Sequence, residues 1–193
     1  MTVTRVFVDT NVLFPFSVMD LMLALTEDNV HEVLWTQALL AEWERVIVRQ
    51  QRRSAASAAA ITAAIREYFA DSEVPEPAYA HLIAKMPGDD PDDWVHMAAA
   101  IAGSAEAIVT WNQADFPTEA LAGYRMRVCT PDDYLCDLLD AWPDEVLDTV
   151  VRLAGEKRNP PMTPVDLTNV FAKAGVPAFA QRLQRRLADR GQG

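Results

Sequence analysis

The stretch Arg5-Val6-Phe7-Val8-Asp9-Thr10-Asn11-Val12-Leu13 constrains the fold most. Val6, Phe7 and Val8 form a β-branched and aromatic run, the pattern of a buried strand in a parallel sheet. The run stops at an acid. A carboxylate where a central strand ends is presented at the carboxyl edge of the sheet, where α/β folds place their ligands. The plainer alternative is that Asp9 caps the helix that follows.

The rest of the chain alternates in the same sense. Strand patterns fall at Thr4–Val8, Val33–Trp35, Ala107–Thr110 and Met126–Cys129. Helical spacing falls at Phe14–Leu25, Gln37–Gln50, Ser54–Phe69, Trp94–Ala102 and Pro131–Ala141. Thr36 and Thr130 stand as N-caps, and Gly103 as a C′ residue. Asp71–Pro77 reads as a loop, with Pro75 and Pro77 barring a helix, and Tyr79–Lys85 fits either a short helix or a connection. Such alternation predicts a central parallel sheet with helices on both faces. From Pro143 the strand signal ceases. Three helical segments follow, Asp144–Lys157, Pro164–Ala174 and Pro177–Arg190, so the expected division is an α/β body over 1–142 and a helical segment over 143–193.

With 193 residues, half of them hydrophobic, the chain can core one body and a small appendage. It shows no membrane-spanning run and no N-terminal signal pattern, so a cytoplasmic location is expected. Cys129 and Cys136 make neither a disulfide framework nor a zinc site. The net charge of −11 is uneven. Residues 1–150 hold 25 acids against 9 bases (−16), and residues 151–193 hold 3 against 8 (+5). An acidic body opposes broad binding of nucleic acid and suits a site that collects cations.

Four acidic positions fall at structural junctures. Asp9 ends strand one, and Glu42 lies one turn into the helix after strand two. Asp93, with Asp90 and Asp92 beside it, opens the Trp94 helix, and Asp115 follows the Ala107 strand with Asn112 in the same loop. Crowded carboxylates repel, and a hard divalent cation relieves them. Such an ion activates water and stabilises a phosphoryl transition state. Singly, each acid has a structural role open to it: Asp93 as a cap, Glu42 paired with Arg45 or Arg49, Asp115 closing a turn. His31, His81 and His96 are scattered and read as structural. Trp94 and Trp111 flank acidic positions, where either could stack on a base.

Four segments, VFVDTNVLF (Val6–Phe14), LLAEWERVI (Leu39–Ile47), DDPDDWVHMAAAIAGSAEAIVTWNQADFP (Asp89–Pro117) and TPDDYL (Thr130–Leu135), resemble PIN-domain proteins, the VapC-type toxins of bacterial toxin–antitoxin pairs above all. The resemblance implies a three-layer α/β/α fold and a Mg²⁺- or Mn²⁺-dependent endoribonuclease. It carries the catalytic acids onto Asp9, Glu42, Asp93 and Asp115, with Asp90 a further metal ligand. Thr10, Asn11, Thr110 and Asn112 match supporting positions. It also implies an RNA substrate, a VapB-type antitoxin and a homodimer. Arg45 and Arg49, on the Glu42 helix, become candidates for holding RNA phosphates. The chain departs from the pattern at Asp92, where relatives often carry a base, at His96, which falls later than their histidine, and at Asn112, where many have Asp. The turn at Asp89–Asp93 leaves its ligating acid unassigned. A non-catalytic interaction module on the same fold is the alternative.

Overall fold

The computed structural model describes residues 3–88 and 90–190. Asp89, one of the acids of the turn, lies outside the described residues. The contacts divide the chain into two compact units.

The first unit spans Thr4–Phe14 and Glu32–Cys129. Its elements are β1 (Thr4–Val8), then, after α1 (Phe16–Glu27) of the other unit, β2 (His31–Leu34), α2 (Gln37–Arg49), α3 (Ala55–Tyr68), α4 (Glu76–Ile83), α5 (Pro91–Ala102), β3 (Ala107–Val109), α6 (Thr118–Ala122) and β4 (Arg127–Cys129). The sheet order is β2-β1-β3-β4, and β1 pairs parallel with β3 in the register Val6↔Ala107, Phe7↔Ile108, Val8↔Val109. β3 pairs parallel with β4. Val6, Phe7, Val8, Ile108 and Val109 are buried, as an apolar run in an interior strand requires. The ladder runs one step beyond the strands: Asp9 N–H donates to Val109 O at 2.9 Å, and Thr110 N–H to Cys129 O at 3.0 Å. Asp9 and Thr110 are thereby fixed side by side at the carboxyl edge.

Three local expectations are corrected. Residues 76–83 form a helix despite Pro75 and Pro77, because Pro75 is its N-cap and Pro77 falls in its first turn, where the missing N–H costs nothing. α5 starts at Pro91 rather than Trp94, so Asp93 lies inside its first turn and Asp90 is the N-cap, its Oδ1 accepting Asp92 N–H at 2.9 Å. Gly103 has φ −74°, so no left-handed cap requires it. Close packing does: a Cβ there would stand 2.6 Å from Leu34 Cδ1 and 2.9 Å from Val74 Cγ2.

The second unit gathers Pro15–His31 with the chain from Thr130 onward. It contains α1, α7 (Pro131–Ala141), α8 (Pro143–Glu156), α9 (Pro164–Lys173) and α10 (Pro177–Arg190). The C-terminal segment is helical, as expected, apart from an isolated bridge between Arg158 and Pro161. Leu21, Met22, Leu25, Val146, Val150, Phe171 and Phe179 are buried here. Asp132 on α7 accepts the N–H groups of Ala178 and Phe179 at 3.0 and 2.8 Å, tying down the first turn of α10. His31 is enclosed between Tyr134 Oη and Met22 O, each 2.8 Å from a ring nitrogen. None of the described helices is long and apolar enough to cross a membrane.

Candidate active site

Asp9 is 8% exposed, and its carboxylate is fixed from one side. Oδ2 accepts Asn11 Nδ2–H at 2.6 Å and Thr110 Oγ1–H at 2.7 Å. Thr110 Oγ1 in turn accepts Asn112 N–H at 3.0 Å, and Asn11 Oδ1 accepts Trp111 N–H at 3.1 Å. Three of the four expected supporting residues therefore hold Asp9 or its holder. The fourth, Thr10, serves Glu42: its hydroxyl donates to Glu42 Oε2 at 3.0 Å.

Glu42 does not pair along its own helix. Its Oε2 also meets His96 Nε2 at 3.3 Å, and His96 Nδ1 stands 3.6 Å from Asp9 Oδ1. At that length the second contact is ionic, and Nδ1 has no hydrogen-bond partner. The His96 ring is buried against Phe7, centroid to centroid 5.7 Å. Burial is the largest single influence on this imidazole and pulls its pKa down; Asp9 and Glu42 together override it and raise the value to about 9. Glu42 is correspondingly lowered, chiefly by His96.

Asp93 marks the other half of the site. Its pKa is raised to about 6, first by burial and then by the charges of Asp115, Asp90 and Asp9. Asp115 is exposed, in the turn Gln113–Asp115, and Asn112 Nδ2 donates to its Oδ2. The acidic turn is braced by Trp94, whose indole donates to Gly88 O at 3.1 Å. Arg45 and Arg49 lie apart on the exposed flank of α2, in a groove shared with Val48, Ala55 and Arg66.

A family profile described as PIN domain matches residues 5–114, the span that holds Asp9, Glu42, Asp93 and His96. The chain belongs to the PIN-domain family. A second profile, described as VapC50 C-terminal domain, matches residues 131–185. The chain is also 36% identical over 107 residues to a Mycobacterium tuberculosis protein named "Putative ribonuclease VapC50". That alignment covers 55% of this chain and 62% of the relative, so it spans less than two thirds of the relative's length. The family match bears out the α/β/α class expected from the sequence.

On this PIN domain the structure brings Asp9, Thr10, Asn11, Glu42, Thr110 and Asn112 into one network, and sets Asp93 within electrostatic reach of Asp115, Asp90 and Asp9. Asp90 spends one oxygen on capping α5. The residue missed by sequence reasoning is His96, which read as structural. One cue was present: His96 follows Asp93 by three positions, which puts both on one face of α5. The donor set is carboxylate oxygen, the chemistry of a hard divalent ion, and Asp93 is raised by burial first and by its acidic neighbours second. Among the described residues no three acid, His or Cys side chains already surround one point.

Proposed function

We propose that this protein is a VapC-type toxin: an endoribonuclease that hydrolyses RNA phosphodiester bonds with the help of Mg²⁺ or Mn²⁺. The observation that carries the reading is Asp9, a buried carboxylate locked by Asn11 and Thr110 at the sheet edge, and near enough, with Asp115, to Asp93 to raise the cost of charge on Asp93. Asp9, Asp93 and Asp115, with Glu42 and Asp90 at the margin, would hold the cation. When bound, it supplies an activated water and charge stabilisation at the phosphoryl group.

The chain's own residues do the positioning. Asn11 and Thr110 both bind Asp9 Oδ2 and leave Oδ1 outside those bonds, 3.6 Å from His96 Nδ1. Asn112 holds Asp115, and Thr10 holds Glu42. Fixing these oxygens in advance removes reorganisation at the moment of reaction. Arg45 and Arg49 are assigned to RNA phosphates, which they would meet as charge-assisted hydrogen bonds. The partners are an RNA substrate, a VapB-type antitoxin and a second copy of the chain, in the cytoplasm. A basic antitoxin side chain near Asp9 and Asp93 would be drawn by the same uncompensated charge.

The test compares cleavage of total RNA by the parent and Asp9→Asn, purified side by side. The variant keeps the hydrogen bonds to Asn11 and Thr110 in shape but loses the charge. Cleavage should fall by orders of magnitude, and EDTA should abolish the parent's activity until Mg²⁺ or Mn²⁺ is restored. Undiminished cleavage by the variant, or by the parent in excess EDTA, would refute the reading.

A further inference from the structure

Phosphodiester hydrolysis on carboxylate sites runs with one divalent ion or with two about 3.5–4 Å apart, bridged by a shared acid. In this fold Asp9 is the acid placed to be shared, because it ends the interior strand. On the reading above, Asp9, Asp93 and Asp115 would hold a first ion. A second ion sharing Asp9 would need a further acid, and Glu42 is the acid that meets the same imidazole as Asp9.

The place between these two acids is filled. The His96 ring stands there, with Nδ1 3.6 Å from Asp9 Oδ1 and Nε2 3.3 Å from Glu42 Oε2. Its side chain is 6% exposed, and Phe7 backs it. Glu42 Oε2 is further engaged by the Thr10 hydroxyl. Nδ1 is buried without a hydrogen-bond partner and aimed at Asp9, so the ring meets that carboxylate as a counter-group rather than through an ordinary structural bond.

We propose that His96 takes the place of a second metal ion, so that this site binds one divalent cation per chain. The inference rests on the metal-dependent reading given above and sharpens it: Glu42 serves the ion only through His96 and Thr10, and Asp9, Asp93 and Asp115 form the cation's own set.

The experiment counts Mn²⁺ on the full-length protein, stripped with EDTA and dialysed, by calorimetric titration and by electron paramagnetic resonance. The wild type should bind one ion per chain and show the spectrum of an isolated Mn²⁺. His96→Ala, which vacates the ring's place, should bind two, with a spin-coupled spectrum. Circular dichroism checks that the variant is folded, and His96→Ser replaces it if Ala does not fold. Two ions on the wild type would overturn the inference without help from any variant, and would leave the metal-dependent reading standing. A single ion on a folded His96→Ala would overturn it equally. No binding at millimolar Mn²⁺ would remove the metal dependence itself, and this inference with it.

Discussion

His31 offers a prediction whose size follows from its surroundings. Both ring nitrogens are engaged, one with Tyr134 Oη and one with Met22 O, and the side chain has no access to solvent. Met22 O can only accept, so Nε2 carries the proton and Nδ1 accepts the tyrosine hydroxyl; the ring is neutral. Burial holds its pKa at about 4 against 6.5 for a free histidine, with the Met22 bond opposing. A depressed histidine binds fewer protons folded than unfolded. Its contribution is therefore complete above pH 6.5 and is lost as the pH falls from 6.5 through 4. The full gap is worth about 3 kcal/mol, of which about 2 kcal/mol is gone by pH 5. The assay is urea unfolding of the wild type and His31→Gln in EDTA, at pH 7.5 and pH 5.0 and equal ionic strength. Asp93 acts in the same window with the opposite sign, and His96 does so from pH 6.5 upward, but both are common to the two proteins and cancel in the difference. The wild type's advantage over His31→Gln should shrink by about 2 kcal/mol on going to pH 5. An advantage that stays constant to within about 0.5 kcal/mol would refute the neutral, sealed imidazole.

Other positions give shorter predictions. Thr110→Val removes the hydroxyl that donates to Asp9 and accepts from Asn112; Mn²⁺ affinity by calorimetry should fall about 10-fold or more, the size expected when a ligand's support is lost. Gly103→Ala drives a methyl into Leu34 and Val74 and should cost about 1–3 kcal/mol in thermal unfolding. Asp132→Ala releases two N–H groups at the start of α10 and should cost about 1–2 kcal/mol in urea.

What could be read in advance is what depends on near neighbours. The Val6–Val8 run, the caps Thr36 and Thr130 and the acid ending β1 each announce themselves within a few residues, and the structure keeps them. The α4 helix was obscured because a proline's meaning turns on whether it falls in a first turn or an interior, which depends on a start site that the sequence marks weakly. Gly103 was assigned to backbone freedom, whereas Leu34 and Val74, distant in the chain, require its lack of a side chain. His96 is the instructive case. Its three-residue spacing from Asp93 hinted at a shared face, but spacing alone does not separate a core histidine from one set between two acids; that depends on β1 and α2 arriving from elsewhere in the chain. The acids themselves were legible because edge positions in a parallel sheet converge by topology, before any side chain is placed.

Asp93 shows why such a site is costly to maintain, and the cost is measurable. Its carboxyl is raised to about 6 by burial and by Asp115, Asp90 and Asp9, so the folded state takes up a proton more readily than the unfolded one. The stability linked to that proton is present below the unfolded value near 4 and is lost as the pH rises through about 6. At pH 7.5 the ionised Asp93 therefore weighs against the fold. Asp93→Asn should relieve it; because the group is only partly buried, solvent screening limits the gain to about 1 kcal/mol or less. In EDTA at pH 7.5 the variant should unfold at slightly higher urea than the wild type, and at pH 4.5 the two should nearly coincide. Millimolar Mg²⁺ should reverse the order, since a cation bound only by the folded wild type adds stability as RT ln(1 + [L]/Kd), about 2.7 kcal/mol at a hundredfold excess over Kd. The two proteins then trade places according to whether the ion is present, as expected of an acid kept for binding rather than for folding. If Asp93→Asn is the less stable protein in EDTA, or Mg²⁺ stabilises both equally, Asp93 is a structural acid and the cation is held elsewhere.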